Sequence, residues 1–103
     1  MKANLTRNKK LDSAIKKHKA FFMERSYDRF VDQAIEEMAE LTKVFIKERR
    51  KRSVEEHIKQ EIADVIIAIE CIIREKNISI IELDGHITAK LNKWLTNINK
   101  GKE

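Results

Sequence analysis

The chain carries two matching segments, Ala34-Ile-Glu-Glu-Met-Ala-Glu-Leu41 and Ile58-Lys-Gln-Glu-Ile-Ala-Asp-Val65, which align without a gap. The aligned carboxylates are Glu37 with Glu61 and Glu40 with Asp64. Apolar residues recur at helical spacing in both segments, so each presents two carboxylates three residues apart on one helix face. Two such helices side by side would gather the oxygen ligands that hard divalent cations prefer.

The composition favours a single all-α domain. The chain of 103 residues has no proline and only two glycines, which disfavours hairpins and long structured loops. Two capping boxes, Ser53-Val-Glu-Glu56 and Ser79-Ile-Ile-Glu82, mark two helix starts. With the apolar spacing they predict helices over about residues 12–25, 28–50, 54–76 and 80–99. We therefore predict a four-helix bundle over residues 11–100, preceded by a loose basic tail over residues 1–10.

The third predicted helix is apolar on more than one side. Its main stripe is Ile58, Ile62, Val65, Ile69 and Ile72, while Ile67 points nearly the opposite way. A helix of this kind needs cover on more than one side. We therefore predict a homo-oligomer, most simply a two-fold dimer.

Charge and cysteine content limit the class of protein. The net charge is +5, but the basic residues are spread out and no aromatic residues interleave with them, so we do not predict a nucleic-acid site. We interpret the surplus as a solubility feature or as help for an anionic ligand. The single Cys71 is predicted to be a buried thiol, which suits a reducing cytoplasm. The apolar run around it is too short to span a bilayer, and no signal peptide is visible.

The four paired acids are predicted to meet. Glu37 and Glu40 lie along one edge of the apolar stripe of the second helix. Glu61 and Asp64 lie along the corresponding edge of the apolar stripe of the third helix. If the helices fold back about a turn near Lys51, both pairs lie roughly 18 Å from it. Four crowded carboxylates repel by several kcal/mol at an effective dielectric of about 20, so we expect a cation among them. The alternative is that the acids line solvated helix edges and pair with lysines.

Other polar residues lie near these edges. Glu36 is either a group that orients water or a surface acid, and His57 is either a substrate contact or a surface histidine. The fourth helix carries further candidates on its own corresponding edge: His86, Lys90, Lys93 and Asn97. The two lysines stand level with the acids and could hold phosphate oxygens, unless they only flank the apolar stripe. Phe21, Phe22 and Met23 either dock the first helix or close over a ligand.

The motif Glu36-Glu37-x-x-Glu40, followed by Glu61-x-x-Asp64 and an apolar run, resembles the MazG-like all-α nucleoside triphosphate pyrophosphohydrolases. That superfamily includes dimeric dUTPases and phosphoribosyl-ATP pyrophosphohydrolase. The resemblance is strongest over residues 33–69. It implies that Glu37, Glu40, Glu61 and Asp64 bind Mg²⁺ and that Glu36 completes the motif. It also implies hydrolysis of a (d)NTP to a (d)NMP and pyrophosphate, by a dimer or tetramer.

The fourth helix departs from the family pattern. Several family members carry Lys-x-x-x-Asn there, whereas this chain has Lys90-Leu-Asn-Lys-Trp94, so only Lys90 matches as a phosphate contact. The resemblance predicts a nucleotide substrate and a role in clearing unwanted nucleotides. The competing hypothesis is a non-enzymatic helical interaction module with acidic clusters on its surface. A di-iron bundle is not indicated, because no histidine stands three residues after a glutamate.

Overall fold

The computed structural model describes residues 8–50 and 53–101, and its regular structure there is entirely helical. The helices are α1 (Lys10–Phe22), α2 (Ser26–Arg49), α3 (Glu55–Glu75) and α4 (Ile80–Asn99), with a short 3-10 helix, Met23–Arg25, before α2. The all-α class is confirmed for these residues. Most of the predicted basic tail (residues 1–7), and residues 51–52 of the turn between α2 and α3, lie outside the described residues.

Local interactions explain where α3 and α4 begin. The Glu82 backbone N–H donates to Ser79 Oγ at 3.3 Å, which confirms the second capping box. The prediction that Ser53 caps α3 through a side-chain hydrogen bond is wrong. Val54 occupies the N-cap position and α3 begins at Glu55, one residue later than the box requires, so Ser53 lies outside the capping position.

α3 ends in a Schellman turn, which sets the direction in which α4 leaves. Asn77 has a positive φ of 54°, a conformation that asparagine tolerates better than most residues. Its N–H donates to Arg74 O at 3.1 Å, and Ile78 N–H donates to Ile73 O at 2.9 Å. These two bonds satisfy carbonyl groups that the end of α3 would otherwise leave unpaired.

The main packing contact joins α2 and α3, which form an antiparallel hairpin. α1 lies against both at one end of the hairpin, where Leu11 and Ile15 form a buried cluster with Phe30 of α2 and Cys71 of α3. Cys71 is a free, buried thiol as predicted, and burial raises its pKa. Phe30 is part of the core.

The apolar stripe predicted for α3 is only partly covered. The residues of α3 that are fully buried lie in its second half: Ala68, Glu70, Cys71 and Ile73. Ile62 is 39% exposed and Ile67 is 43% exposed. Cover is greatest where α1 adds to α2, so the first half of α3 keeps apolar surface in contact with solvent.

Among the described residues, α4 packs extensively against no other helix. None of its residues is buried, and its exposed apolar residues include Ile81, Trp94 and Leu95. The radius of gyration is 16.7 Å, compared with about 13 Å for a compact domain of 100 residues. The predicted bundle of four packed helices is therefore not confirmed for a single chain. None of the described helices has the length and apolar character needed to cross a membrane.

Candidate functional site

Three of the four predicted carboxylates meet between α2 and α3. Glu37 of α2 and Glu61 and Asp64 of α3 each offer one oxygen, and these oxygens lie within 4.8 Å of one another. All three side chains are half-buried. The acids converge because the hairpin turns the corresponding edges of its two helices toward the same side. We call these three residues the acidic cluster.

Glu40 is not part of the acidic cluster. Its Oε1 accepts a hydrogen bond from Lys43 Nζ, one helical turn later, at 3.3 Å. The prediction of four converging carboxylates is therefore met by three. The physical reason is local: a lysine three residues on competes for the Glu40 carboxylate.

The acidic cluster is electrostatically strained. Burial raises the pKa of the Glu37 carboxyl, and the charges of Asp64 and Glu61 raise it further, followed by those of Glu36 and Glu40. Glu61 Oε1 lies 3.3 Å from His57 Nε2, so His57 does reach the acids. Glu61 Oε2 is buried and has no hydrogen-bond partner. A buried carboxylate oxygen without a donor is costly, and a cation would satisfy it.

A cavity of about 390 Å³ opens beside the acidic cluster. It is lined by His18 and Phe22 of α1 and by five residues of α2: Arg29, Asp32, Gln33, Glu36 and Glu37. Glu37 belongs both to this lining and to the acidic cluster, so the cavity and the cluster adjoin at Glu37. Cavities of roughly 300 to 1,000 Å³ are typical of small-molecule sites.

His18 is fixed in the wall of the cavity. Its Nδ1 lies 2.8 Å from the hydroxyl of Ser26, and its ring stacks on Phe30 with centroids 3.8 Å apart. Burial lowers the pKa of His18, and the charge of Arg29 lowers it further, while Glu75 acts in the opposite direction. At neutral pH the imidazole is therefore uncharged and can either donate or accept one hydrogen bond.

An aromatic and cationic pair lies near His18. The Arg29 guanidinium carbon is 4.8 Å from the centroid of the Phe22 ring. Phe22 thus contributes to the cavity, whereas Phe21 and Met23 are largely exposed. Of the three residues of this segment, only Phe22 is in a position from which it could pack against a ligand in the cavity.

Sequence reasoning identified Phe22, Glu36 and Glu37 but missed the other residues of the cavity (His18, Arg29, Asp32 and Gln33), although a signal was present. Polar residues of α2 recur at helical spacing and lead directly to the acids: Arg29, Asp32, Gln33, Glu36 and Glu37. On α1, Leu11, Ile15, His18 and Phe22 follow the same spacing. Which of these faces line a common cavity depends on how α1 docks, and the spacing does not contain that information.

The candidate residues of α4 are not brought to the acidic cluster within one chain. Lys90, Lys93 and Asn97 lie on a helix that does not pack extensively against α2 or α3. The predicted equal height with Glu61 and Asp64 assumed a closed bundle, and this assumption is not met in the single chain.

No protein-family model, curated protein or solved structure matches this chain.

Proposed function

We propose that this chain is a Mg²⁺-dependent nucleoside triphosphate pyrophosphohydrolase that converts a (d)NTP to a (d)NMP and pyrophosphate and so clears unwanted nucleotides. The observation that carries the proposal is that two features adjoin. A carboxylate cluster suited to a hard cation shares Glu37 with a 390 Å³ cavity that has aromatic and amide groups on its walls. One end suits a metal-bound phosphate chain, and the other suits a planar base.

The residues of the acidic cluster fit Mg²⁺. They supply only oxygen donors, they lie close enough together to share one ion, and Glu61 Oε2 is buried without a partner. When bound, the ion supplies charge neutralisation at the phosphate oxygens and acidifies water. Glu37, Glu61 and Asp64 would hold it, with His57 fixing the Glu61 side chain through the contact to Oε1.

The remaining residues suggest a division of roles. Water attacks phosphorus, the bond to the bridging oxygen between the α- and β-phosphates breaks, and pyrophosphate leaves. Glu36 lines the cavity next to Glu37 and can accept the proton that the attacking water loses. Gln33 and neutral His18 can hydrogen-bond a base, and the Phe22 ring can pack against it.

The active form in this proposal is an assembly of two or more copies. The described residues leave large apolar side chains exposed on α4, such as Trp94 and Leu95, and on the α2–α3 hairpin, such as Met38 and Ile62. A second copy would cover such apolar surface.

A second copy is the occupant that best fits the face of α4. The apolar residues of α4 in one copy would cover the exposed side of the α2–α3 hairpin in the other copy. Lys90 and Lys93 of α4 are cationic, and the acidic cluster beside that hairpin is anionic, so the charges are complementary. In this arrangement the lysines, with Asn97, contact the phosphates from the neighbouring copy.

Pyrophosphate release tests the activity. Each common nucleoside triphosphate is incubated with the protein and Mg²⁺, and release is compared for the wild type, Glu37→Gln and Asp64→Asn. We expect both variants to lose activity by at least 100-fold while remaining helical. Glu48→Gln, an exposed acid of α2 outside the acidic cluster, is the matched control and should retain activity. Release from no nucleotide would favour the helical interaction module, which the exposed face of α4 also fits.

Complementation tests the shared site. Asp64→Asn and Lys90→Ala would each be inactive alone, but mixed subunits would contain one intact pair of acidic cluster and lysine. After equal amounts are mixed and allowed to exchange, half of the dimers are mixed and each has one working site of two. We therefore expect about a quarter of wild-type activity. A mixture no more active than its components would exclude lysine donation between copies.

A further inference from the structure

α1 has two roles in the fold. Its first half contributes Leu11 and Ile15 to the core, and its second half contributes His18 and Phe22 to the wall of the cavity. These four residues share one face of the helix. Any movement of α1 relative to α2 and α3 therefore changes the cavity.

Ion pairs tie α1 to the last turn of α3 at two points. Asp12 contacts Arg74 Nη1, and Lys19 Nζ lies 3.6 Å from Glu75 Oε2. Asp12 and Lys19 are seven residues apart, so they lie on the same side of α1 about two turns from each other. Arg74 and Glu75 are adjacent in α3. We call these two ion pairs the α1 clamp.

The α3 side of the clamp is held from within the core. Arg74 Nη2 lies 3.6 Å from Oε1 of Glu70, whose side chain is completely buried. Arg74 itself is only 19% exposed and Glu75 only 16%. These long side chains are therefore more restricted than the surface residues that form most ion pairs, which lowers the entropic cost of holding α1 in register.

Other attachments of α1 are few. Its N-cap residue, Lys9, makes no side-chain cap, although Asn8 Oδ1 accepts a hydrogen bond from Lys10 N–H at 3.0 Å. Only two residues of α1 are buried, and at 13 residues it is near the lower length at which an isolated helix is marginal. His18 adds its contacts with Ser26 and Phe30. The α1 clamp is therefore a large part of what determines where the cavity wall stands.

We infer that the α1 clamp positions His18 and Phe22 and thereby sets how tightly the cavity holds its ligand. The four clamp residues are positioning residues: they act through α1 and do not line the cavity. This inference rests on the proposed function for the identity of the ligand, but the clamp itself can be tested without a ligand.

A charge reversal separates the clamp from a loss of folding. The variants are Lys19→Glu, Glu75→Lys and the two together, which restores an ion pair with unchanged net charge. The first readout is hydrogen exchange of the α1 amides, and the second is KM and kcat for the best nucleotide. In each single variant the α1 amides should exchange faster and KM should rise, each by about five-fold, while kcat changes less than two-fold. The double variant should return toward wild type in both measurements.

Controls and contrary outcomes are specific. Lys59→Glu disrupts an ion pair with Glu56 within α3 and should leave the α1 amides unchanged. Asp12→Asn, which weakens the other half of the clamp, should act like the single reversals. Single variants with unchanged exchange, or a double variant that is not rescued, would overturn the clamp. Faster exchange with unchanged KM would overturn the link to the ligand. If no nucleotide is hydrolysed, the exchange experiment still decides the clamp while the proposed function fails.

Discussion

Replacing Glu37 by glutamine should stabilise the protein in the absence of divalent cations. Glu37 stands between two other carboxylates, and oxygens of all three lie within 4.8 Å. At that distance each pair of charges repels by about 1 kcal/mol in water and by about 3.5 kcal/mol at an effective dielectric of 20. Because the cluster is half-buried and borders an open cavity, the lower value applies, and salt at about 0.1 M reduces it by a further third or so.

Glu37→Gln removes two of the three repelling pairs, which gives a gain of about 1 kcal/mol. For a domain of this size that corresponds to a rise in Tm of about 4 to 8 °C. With 10 mM Mg²⁺ and a Kd of about 1 mM, the wild type would gain about 1.4 kcal/mol from binding. The variant, lacking one ligand, should gain much less, so Mg²⁺ should remove or reverse the difference in Tm.

The assay is thermal unfolding followed by circular dichroism, with and without Mg²⁺, at one fixed protein concentration because assembly also shifts Tm. Glu48→Gln is the control and should leave both curves in place. The reasoning fails if Glu37→Gln lowers Tm without Mg²⁺, or if Mg²⁺ shifts the variant and the wild type equally. The first result would mean that Glu37 forms favourable contacts, and the second that Mg²⁺ binds elsewhere.

Three further predictions follow from the same structure. Because the folded-state pKa of Glu37 is raised, the folded chain binds a proton more readily than the unfolded chain. This effect favours folding below the unfolded-state pKa and is lost as pH rises through the folded-state pKa. Because Mg²⁺ needs charged carboxylates, thermal scans should show that Mg²⁺ stabilises the protein at pH 8 but not near pH 4. Trp94→Asp should dissociate the assembly in sedimentation velocity, whereas Asn92→Asp should not, since Trp94 lies on the apolar face of α4 and Asn92 nearly opposite. Ser79→Ala should cost about 1 kcal/mol and speed hydrogen exchange in the first turn of α4, whereas Ser53→Ala, which removes no helix cap, should have little effect.

The acidic cluster could be predicted from the sequence because it depends on short-range geometry. Two helices joined by a short turn must be antiparallel, and residues at equal distances from the turn must then be level. The angular position of each acid follows from the helical repeat. These two facts bring Glu37, Glu61 and Asp64 together without any knowledge of the rest of the fold. The side chain of Glu40 obeys the same geometry, but Lys43 attracts its carboxylate.

The cavity could not be predicted in the same way. α1 is joined to α2 through the 3-10 helix Met23–Arg25, with a positive φ of 53° at Met23. A single residue in that conformation changes the direction of the chain. Positive φ is usually signalled in a sequence by glycine or asparagine, and neither occupies this position. The docking of α1 is then set by contacts distant in sequence, such as that between Asp12 and Arg74. His18 and Phe22 reach the acids only as a result of this docking.

The position of α4 shows why a helical repeat is a strong guide to faces and a weak guide to partners. The repeat correctly gives α4 an apolar side, and it places Lys90 and Lys93 along one edge of that side. It contains no information on which surface covers the apolar side, and after the Schellman turn at Asn77 α4 does not pack extensively against its own hairpin. A side chain at the edge of an apolar face can contact only the surface that packs against that face. Lys90 would therefore serve the acidic cluster only of the hairpin that α4 packs against, and in the proposed assembly that hairpin belongs to a second copy.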